Sequence, residues 1–252
     1  MAERPGRLGV GVIGAGRVGP VIAAALASAG HALLGVHAVS AESRDRVEAM
    51  LPGVPLLGVA EIVERSELVV LAVPDDQLPG LVAGLAATDT WQSGQLVAHT
   101  SARHGLAVLE PAARAGAIGI AIHPAIDFTG TSLDVSRLAG SYMAVSAPRP
   151  VLPIAQALVV EMGGEPLVIS EEDRPRYAEA IATARSFSAA IVDQSAALLA
   201  EIGIAAPGRV LSPLIRSTVD NALAKTSGPE LTALEFGVDG PIALGPEEAE
   251  AW

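Results

Sequence analysis

The residues best suited to binding chemistry form a glycine-rich turn near the start of the 252-residue chain. An apolar run at positions 8–13 leads into this turn, and an alanine-rich stretch follows it. In such a turn the first glycine permits a tight bend, the second lets a pyrophosphate approach the backbone, and the third lets the helix pack against its strand. The helix N-terminus attracts the phosphates, so the pattern predicts a dinucleotide site. The turn consists of Gly14, Ala15, Gly16, Arg17, Val18 and Gly19.

Three polar residues further along the chain could do chemistry beside such a nucleotide. Reduction of a carbonyl or imine needs an acid that protonates the developing alkoxide or amine while the cofactor supplies a hydride. We expect His123 to be this acid, because imidazole titrates near neutral pH. Ser101 would orient the substrate or the nicotinamide carboxamide, and Ser186 would close the far side of the pocket. The alternative for His123 is a structural hydrogen bond in a His-Pro turn.

The end of the second predicted strand bears on the choice of cofactor. In NAD-binding versions of this fold, an acidic residue about 20 residues beyond the glycines binds the ribose 2′-hydroxyl. Here that place holds Ser40, and Ser43 and Arg44 follow it. Two hydroxyls and a guanidinium suit a 2′-phosphate, so we expect NADP, with NAD as the less favoured cofactor. Two alternatives stay open: Ser40 caps a helix while Arg44 is a solvated charge, or Glu42 reaches a ribose hydroxyl.

The elements that must position these residues alternate between strand and helix. This alternation predicts an α/β Rossmann fold with a doubly wound parallel sheet. Ligands bind at the carboxyl ends of such strands, so we expect Val73, Pro74, Asp75 and Thr100 to contact the cofactor. The alternative for Asp75 is a cap on the following helix. Strands are predicted at 8–13, 32–39, 68–73, 95–99, 117–122, 142–145 and 166–169.

The composition of the chain changes after residue 170. Positions 174–202 form a long alanine-rich pattern with helical spacing, and a second helix is expected near 209–224. We therefore predict a Rossmann dinucleotide-binding domain at 1–170 and a smaller all-helical domain for substrate binding and dimerisation at 171–252. Two such helices do not bury themselves fully, so we expect a homodimer through the helical domain.

Bulk properties exclude several classes of function. The chain has no cysteine, which excludes disulfides, thiolate metal sites and cysteine nucleophiles. The spacing of His99 and His104 fits no metal-ligand template, so no metal is expected. A net charge of −12 argues against nucleic acid or an anionic membrane as a partner, and a small-molecule substrate is expected. No apolar stretch is long enough for a membrane span and the first five residues resemble no signal peptide, so we expect a cytoplasmic protein.

Three segments, read in order, resemble a known family. They are Val73-Pro74-Asp75-Asp76, His99-Thr100-Ser101-Ala102, and Ile122-His123-Pro124 with Phe128 just beyond. They are similar to Rossmann-like oxidoreductases that carry the helical domain of unknown function 2520, which are related to pyrroline-carboxylate reductases, β-hydroxyacid dehydrogenases and ketopantoate reductases. The resemblance covers nearly the whole chain. It implies an NADP-dependent oxidoreductase that reduces a small polar carbonyl, such as a ketopantoate-like 2-oxo acid, or an imine by hydride transfer.

The chain departs from the family pattern at three places. It has Ser101-Ala102 where the family has Ser-Gly, and Ser186 before Phe187 where the family commonly has Asn before an aromatic residue. Positions 239–246 lack the Arg and Asp of the family's Thr-Gly-Pro-Ile-x-Arg-Gly-Asp pattern. These departures favour a substrate other than the family's usual one. They leave two alternatives open: a nucleotide-binding member without redox activity, or an enzyme recruited to a specialised biosynthetic pathway.

Overall fold

The computed structural model describes residues 7–226, and its central element is a seven-stranded sheet. The strands are β1 (Gly9–Ile13), β2 (Ala32–His37), β3 (Leu68–Leu71), β4 (Leu96–His99), β5 (Ile118–Pro124), β6 (Tyr142–Ser146) and β7 (Glu165–Val168). Their order across the sheet is β2-β1-β3-β4-β5-β6-β7. Neighbouring strands are parallel, except that β5 and β6 are antiparallel.

Helices follow most of the strands. The shorter ones are α1 (Gly19–Ser28), α2 (Ala41–Met50), α3 (Val59–Arg65), α4 (Leu78–Ala87), α5 (Glu110–Arg114), α6 (Leu133–Leu138) and α7 (Leu152–Glu161). A 3₁₀ turn at Leu106–Leu109 runs directly into α5. The last two helices are the longest, α8 (Arg174–Glu201) and α9 (Pro207–Thr226).

The register of the strands places the carboxyl ends of β1, β3 and β4 at one edge of the sheet. Ile13 pairs with Leu71, and Leu71 pairs with His99, so β1, β3 and β4 end at the same level. These three strands are buried along their whole length, which explains their continuous apolar sequences. The chain runs from β1 to β2 on one side and then to β3 on the other. This change of direction opens a crevice at the carboxyl ends of β1 and β3.

The predicted Rossmann fold is confirmed, and each of the seven predicted strands is present. Two helices were not predicted, because α3 and α6 have only seven and six residues and are too short for a clear helical period. The sheet also differs from an all-parallel one at β6. Helix α6 lies between β5 and β6 in the chain and is only about 9 Å long, too short to return the chain along the length of β5, which is about 23 Å. The chain therefore re-enters the sheet from the end at which β5 left it.

Packing divides the chain into two compact units, with the division between Arg185 and Ser186 inside α8. The first unit contains the sheet and the first turns of α8. In the second unit, α8 and α9 expose large apolar side chains. The sequence-based domain boundary at residue 170 stays a prediction. The exposed apolar residues of the second unit include Phe187, Ile191, Leu198, Ile202, Val210, Leu214, Val219 and Leu223.

Candidate functional site

The glycine turn between β1 and α1 has the close packing that its sequence predicts. Gly14 has a φ of +108°, and a Cβ on it would collide with the carbonyl oxygen of Ala72. A Cβ on Gly19 would collide with the carbonyl oxygen of Gly14. Around Gly16, by contrast, no described residue other than its two chain neighbours has an atom within 4 Å of the position that a Cβ would take. The first and third glycines therefore hold the turn together, and the second leaves space in which a phosphate group fits.

A first groove lies on the β2 side of the glycine turn and encloses about 450 Å³. Ser40 and Ser43 line it, together with Val73 and Pro74. The Ser40 Oγ accepts a hydrogen bond from the Ser43 backbone N–H at 3.1 Å, and the Ser43 Oγ donates to the Ser40 carbonyl at 2.8 Å. Ser40 thus caps α2 while its hydroxyl also borders the groove. Arg44 is exposed and is not among the residues that line this groove.

Arg46, which sequence reasoning did not single out, ties α2 to the glycine turn. Its Nη1 donates to the carbonyl of Ala15 at 3.0 Å, and its Nη2 donates to Glu42 Oε1 at 2.7 Å. The sequence does show the Glu42 pair, because the two residues are four apart on a helix. The contact with Ala15 depends on tertiary structure and has no sequence signal.

A second and larger groove, of about 930 Å³, starts at the other side of the glycine turn. It is formed by five separate segments of the chain and brings together most of the predicted site residues. The groove is lined by Gly16–Val18, by Ala72–Asp75 after β3, by Thr100–Arg103 after β4, by His123 on β5, and by Pro175, Ala178, Glu179, Ile181, Ala182 and Arg185 on α8. Ser186, the remaining predicted site residue, is exposed on α8 in the second unit and does not line this groove.

Ser101 shapes the floor of the second groove through its hydroxyl. Its Oγ accepts hydrogen bonds from the backbone N–H groups of Arg103 at 3.1 Å and His104 at 3.0 Å. The side chain is therefore held by the turn that follows β4. His99, at the end of β4, accepts from the Ser101 N–H through Nδ1, so its Nε2 carries the proton and donates to the Gly105 carbonyl at 3.1 Å.

His123 lies on the groove wall and contacts Tyr177, a second residue that sequence reasoning missed. The Tyr177 hydroxyl and His123 Nδ1 are 2.8 Å apart, and the two rings meet edge to face at 5.7 Å. No described residue hydrogen-bonds the other ring nitrogen, Nε2. Burial, and then the charge of Arg174, lower the pKa of His123 from 6.5 to about 4, although Asp75 opposes the shift. His123 therefore stays neutral between pH 6 and 8, whereas the sequence prediction relied on an imidazole of pKa 6.5 that titrates within this range.

Arg174, also missed from the sequence, lies beneath this wall at the start of α8 and is 1% exposed. Its charge acts on His99 and on His123. Burial is the main cause that lowers the pKa of His99 from 6.5 to about 4, and Arg174 adds to the effect. The one available signal was the spacing of Arg174 and Tyr177, which puts both on one face of a helix.

The remaining sequence predictions concern a metal site, a membrane span and the altered pattern at positions 239–246. Within residues 7–226, no three His, Asp or Glu side chains come together as a set that could hold a metal ion. No helix in that range is long and apolar enough to cross a membrane. The altered pattern at positions 239–246 lies outside the described residues.

Comparison with protein families places two known domains on this chain. Residues 2–124 match the Rossmann-like domain, and residues 141–233 match the domain of unknown function 2520. The second match begins just before β6 and so includes the last two strands of the sheet. Among proteins of curated function, none matches this sequence.

Solved structures share the fold at low sequence identity. A Bacteroides fragilis protein proposed to be an NADP oxidoreductase has a TM-score of 0.74 at 19% identity, covering 91% of this chain and 87% of its own. A Plasmodium falciparum pyrroline carboxylate reductase with NADP bound has a TM-score of 0.61 at 12% identity, covering 95% and 87%. An imine reductase from a Pseudomonas species has a TM-score of 0.63 at 18% identity, covering 93% and 81%. At these identities the likeness shows the fold.

His99 and His123, whose pKa values are lowered in the folded chain, make the stability of the protein sensitive to mild acid. Each has a pKa of about 4 in the folded chain and 6.5 ordinarily, so the unfolded state binds more protons as the pH falls through 6.5. Their contribution to stability is complete above pH 6.5 and is lost as the pH falls towards 4. We expect urea titrations to give a free energy of unfolding that falls between pH 6.5 and 5. In the variant His99→Gln the free energy of unfolding should fall less over this pH range. A fall as large as in the unaltered protein would contradict the lowered pKa of His99.

Proposed function

We propose that this chain, which belongs to the family that joins a Rossmann-like domain to the domain of unknown function 2520, is a nicotinamide-nucleotide-dependent reductase of a small polar carbonyl or imine. The observation that carries the proposal is the position of His123. It lies in a groove that starts at the open space around Gly16, and its Nε2 is available to a ligand. A nucleotide seated on the glycine turn and a substrate beside His123 would therefore share one groove.

The proposed cofactor contacts follow from the two grooves. The pyrophosphate would lie over Gly16 at the N-terminus of α1, the adenosine in the groove lined by Ser40 and Ser43, and the nicotinamide beside Thr100 and His123. A bound nicotinamide nucleotide supplies the hydride. The absence of an acidic residue at position 40 supports NADP over NAD. The NADP named for two of the structurally similar proteins points the same way.

His123 would act as a neutral hydrogen-bond donor to the substrate. Burial raises the pKa of Tyr177, so the phenol keeps its proton and can donate to His123 Nδ1. That bond fixes the tautomer in which Nε2 carries the hydrogen. An N–H aimed into the groove stabilises negative charge as it develops on a substrate oxygen, and a neutral imidazole is able to do this. The turn at Ser101 would hold the substrate against His123.

Two further proposals concern assembly and location. The apolar side chains on α8 and α9 of the second unit support a homodimer formed through the helical region, because large exposed apolar patches mark interaction surfaces. The role of Ser186 at the far side of the substrate pocket also stays a proposal. We also keep the proposal of a cytoplasmic protein whose substrate is a small molecule.

Cofactor binding is the first test of the proposal. We expect isothermal calorimetry to show saturable binding of NADPH, and the variant Gly16→Asp to abolish it, because a carboxylate would fill the open space and repel the phosphates. Gly84→Asp is the matched control, since Gly84 on α4 also has open space around it and lines neither groove. Absence of binding to the unaltered protein would refute the proposal. Binding without turnover of any carbonyl or imine would favour the non-redox alternative.

Cofactor choice is tested at α2. We expect Arg44→Ala to lower the preference for NADPH over NADH by about tenfold, because a hydrogen bond to a charged group contributes about 1.5–3 kcal/mol. Arg46→Ala should weaken the binding of NADPH and NADH equally, since Arg46 donates a hydrogen bond to the Ala15 carbonyl of the glycine turn. Arg65→Ala, an exposed ion-paired residue on α3, is the control. Dissociation constants for both nucleotides give the ratio, and an unchanged ratio in Arg44→Ala would show that Arg44 does not bind the 2′-phosphate.

The role of His123 predicts a particular pH profile. Because its pKa is about 4, we expect no loss of turnover attributable to imidazole between pH 6 and 8. His123→Gln should lower kcat by about 100-fold, and Tyr177→Phe by less, since it removes only the bond that orients the ring. Steady-state rates with NADPH across this pH range provide the measurement. Full turnover in His123→Gln, or a rate governed by a group that titrates near pH 6.5, would contradict the proposed role.

A further inference from the structure

Arg174 is a buried cation that forms no ion pair with a carboxylate among residues 7–226. Its Nη2 donates to Ser146 Oγ at 2.6 Å, and its Nη1 lies 3.5 Å from the carbonyl oxygen of Ser101. Its Nε is buried and has no hydrogen-bond partner within the described chain. Both oxygens that it does contact are neutral. A guanidinium in such surroundings keeps its charge but is poorly compensated for the water that it has lost.

The surroundings of Arg174 add to this imbalance. Arg174 is the first residue of α8, and the N-terminus of a helix already carries partial positive charge. Glu171 is the acidic residue that acts on it, but a Glu171 carboxylate oxygen accepts a hydrogen bond from the Leu106 N–H at 2.9 Å, and Glu171 is exposed. Solvent screens an exposed carboxylate, whereas Arg174 is shielded from solvent. The region around Arg174 therefore carries a positive electrostatic potential that neither Glu171 nor solvent neutralises.

This positive potential acts on the wall of the second groove. Arg174 contacts the Ser101 carbonyl directly, and its charge disfavours protonation of His123. The other groups that act on His123 are Tyr177, which hydrogen-bonds it from α8, and Asp75, which opposes Arg174 from the end of β3. Burial of the ring is the largest cause of its lowered pKa, Arg174 adds to that effect, and together they outweigh Asp75. A group bound beside Ser101 and His123 lies in the same field.

The charged side chains that line the groove nearly cancel, because Arg185 forms an ion pair with Asp127 at 3.0 Å. The buried guanidinium of Arg174 is therefore the uncompensated charge at this wall, although the whole chain carries a net charge of −12. An uncompensated cation beside a groove favours anionic ligands. The charged lining residues are Arg17, Arg103 and Arg185 against Asp75 and Glu179.

We infer that Arg174 is a positioning residue that makes this groove selective for neutral carbonyl groups, in anionic molecules such as 2-oxo acids, over protonated imines. The inference rests on the proposed reductase function. In carbonyl reduction a hydride from the reduced nicotinamide nucleotide, which is thereby oxidised, bonds to the carbonyl carbon. The π electron pair moves to oxygen, and the resulting alkoxide takes a proton from water. Nearby positive charge stabilises that alkoxide as it forms.

Imine reduction has the opposite requirement. The imine nitrogen must be protonated before the hydride adds to carbon, so the reacting group is a cation that becomes a neutral amine. A fixed guanidinium repels this cation, and a neutral His123 does not supply the proton. The same field that assists a carbonyl therefore opposes an iminium ion. The substrate class follows from the charge that surrounds the reacting atoms.

The test compares two small carboxylates that differ in the reacting group, ketopantoate and 1-pyrroline-5-carboxylate, with NADPH as reductant. We expect the unaltered protein to have at least about tenfold higher kcat/KM for ketopantoate, which corresponds to about 1.4 kcal/mol. Arg174→Met should shift the ratio towards the imine by a similar factor, whereas Arg174→Lys should keep it, because lysine retains the charge. A preference for the imine in the unaltered protein, or an unchanged ratio in Arg174→Met, would overturn the inference.

A second measurement does not depend on activity. Nuclear magnetic resonance titration of the His123 ring, without any nucleotide, should give a pKa well below 6.5 in the unaltered protein and in Arg174→Lys, and a clearly higher one in Arg174→Met. Equal values in all three proteins, or an ordinary value in the unaltered protein, would overturn the inference even if Arg174→Met failed to fold or neither probe were reduced. Failure of NADPH to bind would instead count against the proposed function. It would not affect this titration, which uses no nucleotide.

Discussion

The structure depends on the close approach of the glycine turn to the end of β3. Gly14 lies so near the Ala72 carbonyl, and Gly19 so near the Gly14 carbonyl, that neither position has room for a Cβ. This contact brings the carboxyl ends of β1 and β3 and the start of α1 together at the point where the strand order reverses. Both grooves begin there. A side chain at either glycine would separate these elements and remove both grooves.

The chemistry of the larger groove comes from what is buried behind it. The carboxyl ends of β3, β4 and β5 bring Asp75, Ser101 and His123 to one wall, and Arg174 lies behind that wall with its charge unneutralised. Burial and this charge keep His123 neutral, so the wall presents hydrogen-bond donors and positive potential. A wall of this kind suits a reaction in which negative charge develops on oxygen.

The sequence predicts the sheet well, because strands buried on both faces must be continuous apolar runs and the spacing of the glycines defines the turn. It also places Ser101 and His123 at strand ends that share one edge. Arg174 and Tyr177 were missed, since a helix pattern shows which residues share a face but not which partner that face contacts. The pKa of His123 could not be predicted either, because it depends on burial and on a charge 51 positions away in sequence. Arg46 was missed for the same reason as Arg174.

The central claim is that a nicotinamide nucleotide and His123 share one groove, and a crystal structure of the protein with NADP⁺ tests it most directly. The account predicts the pyrophosphate over Gly16 and the adenine in the groove bordered by Ser40, with C4 of the nicotinamide beside His123 Nε2. A nucleotide bound elsewhere, or one whose nicotinamide points away from His123, would contradict it.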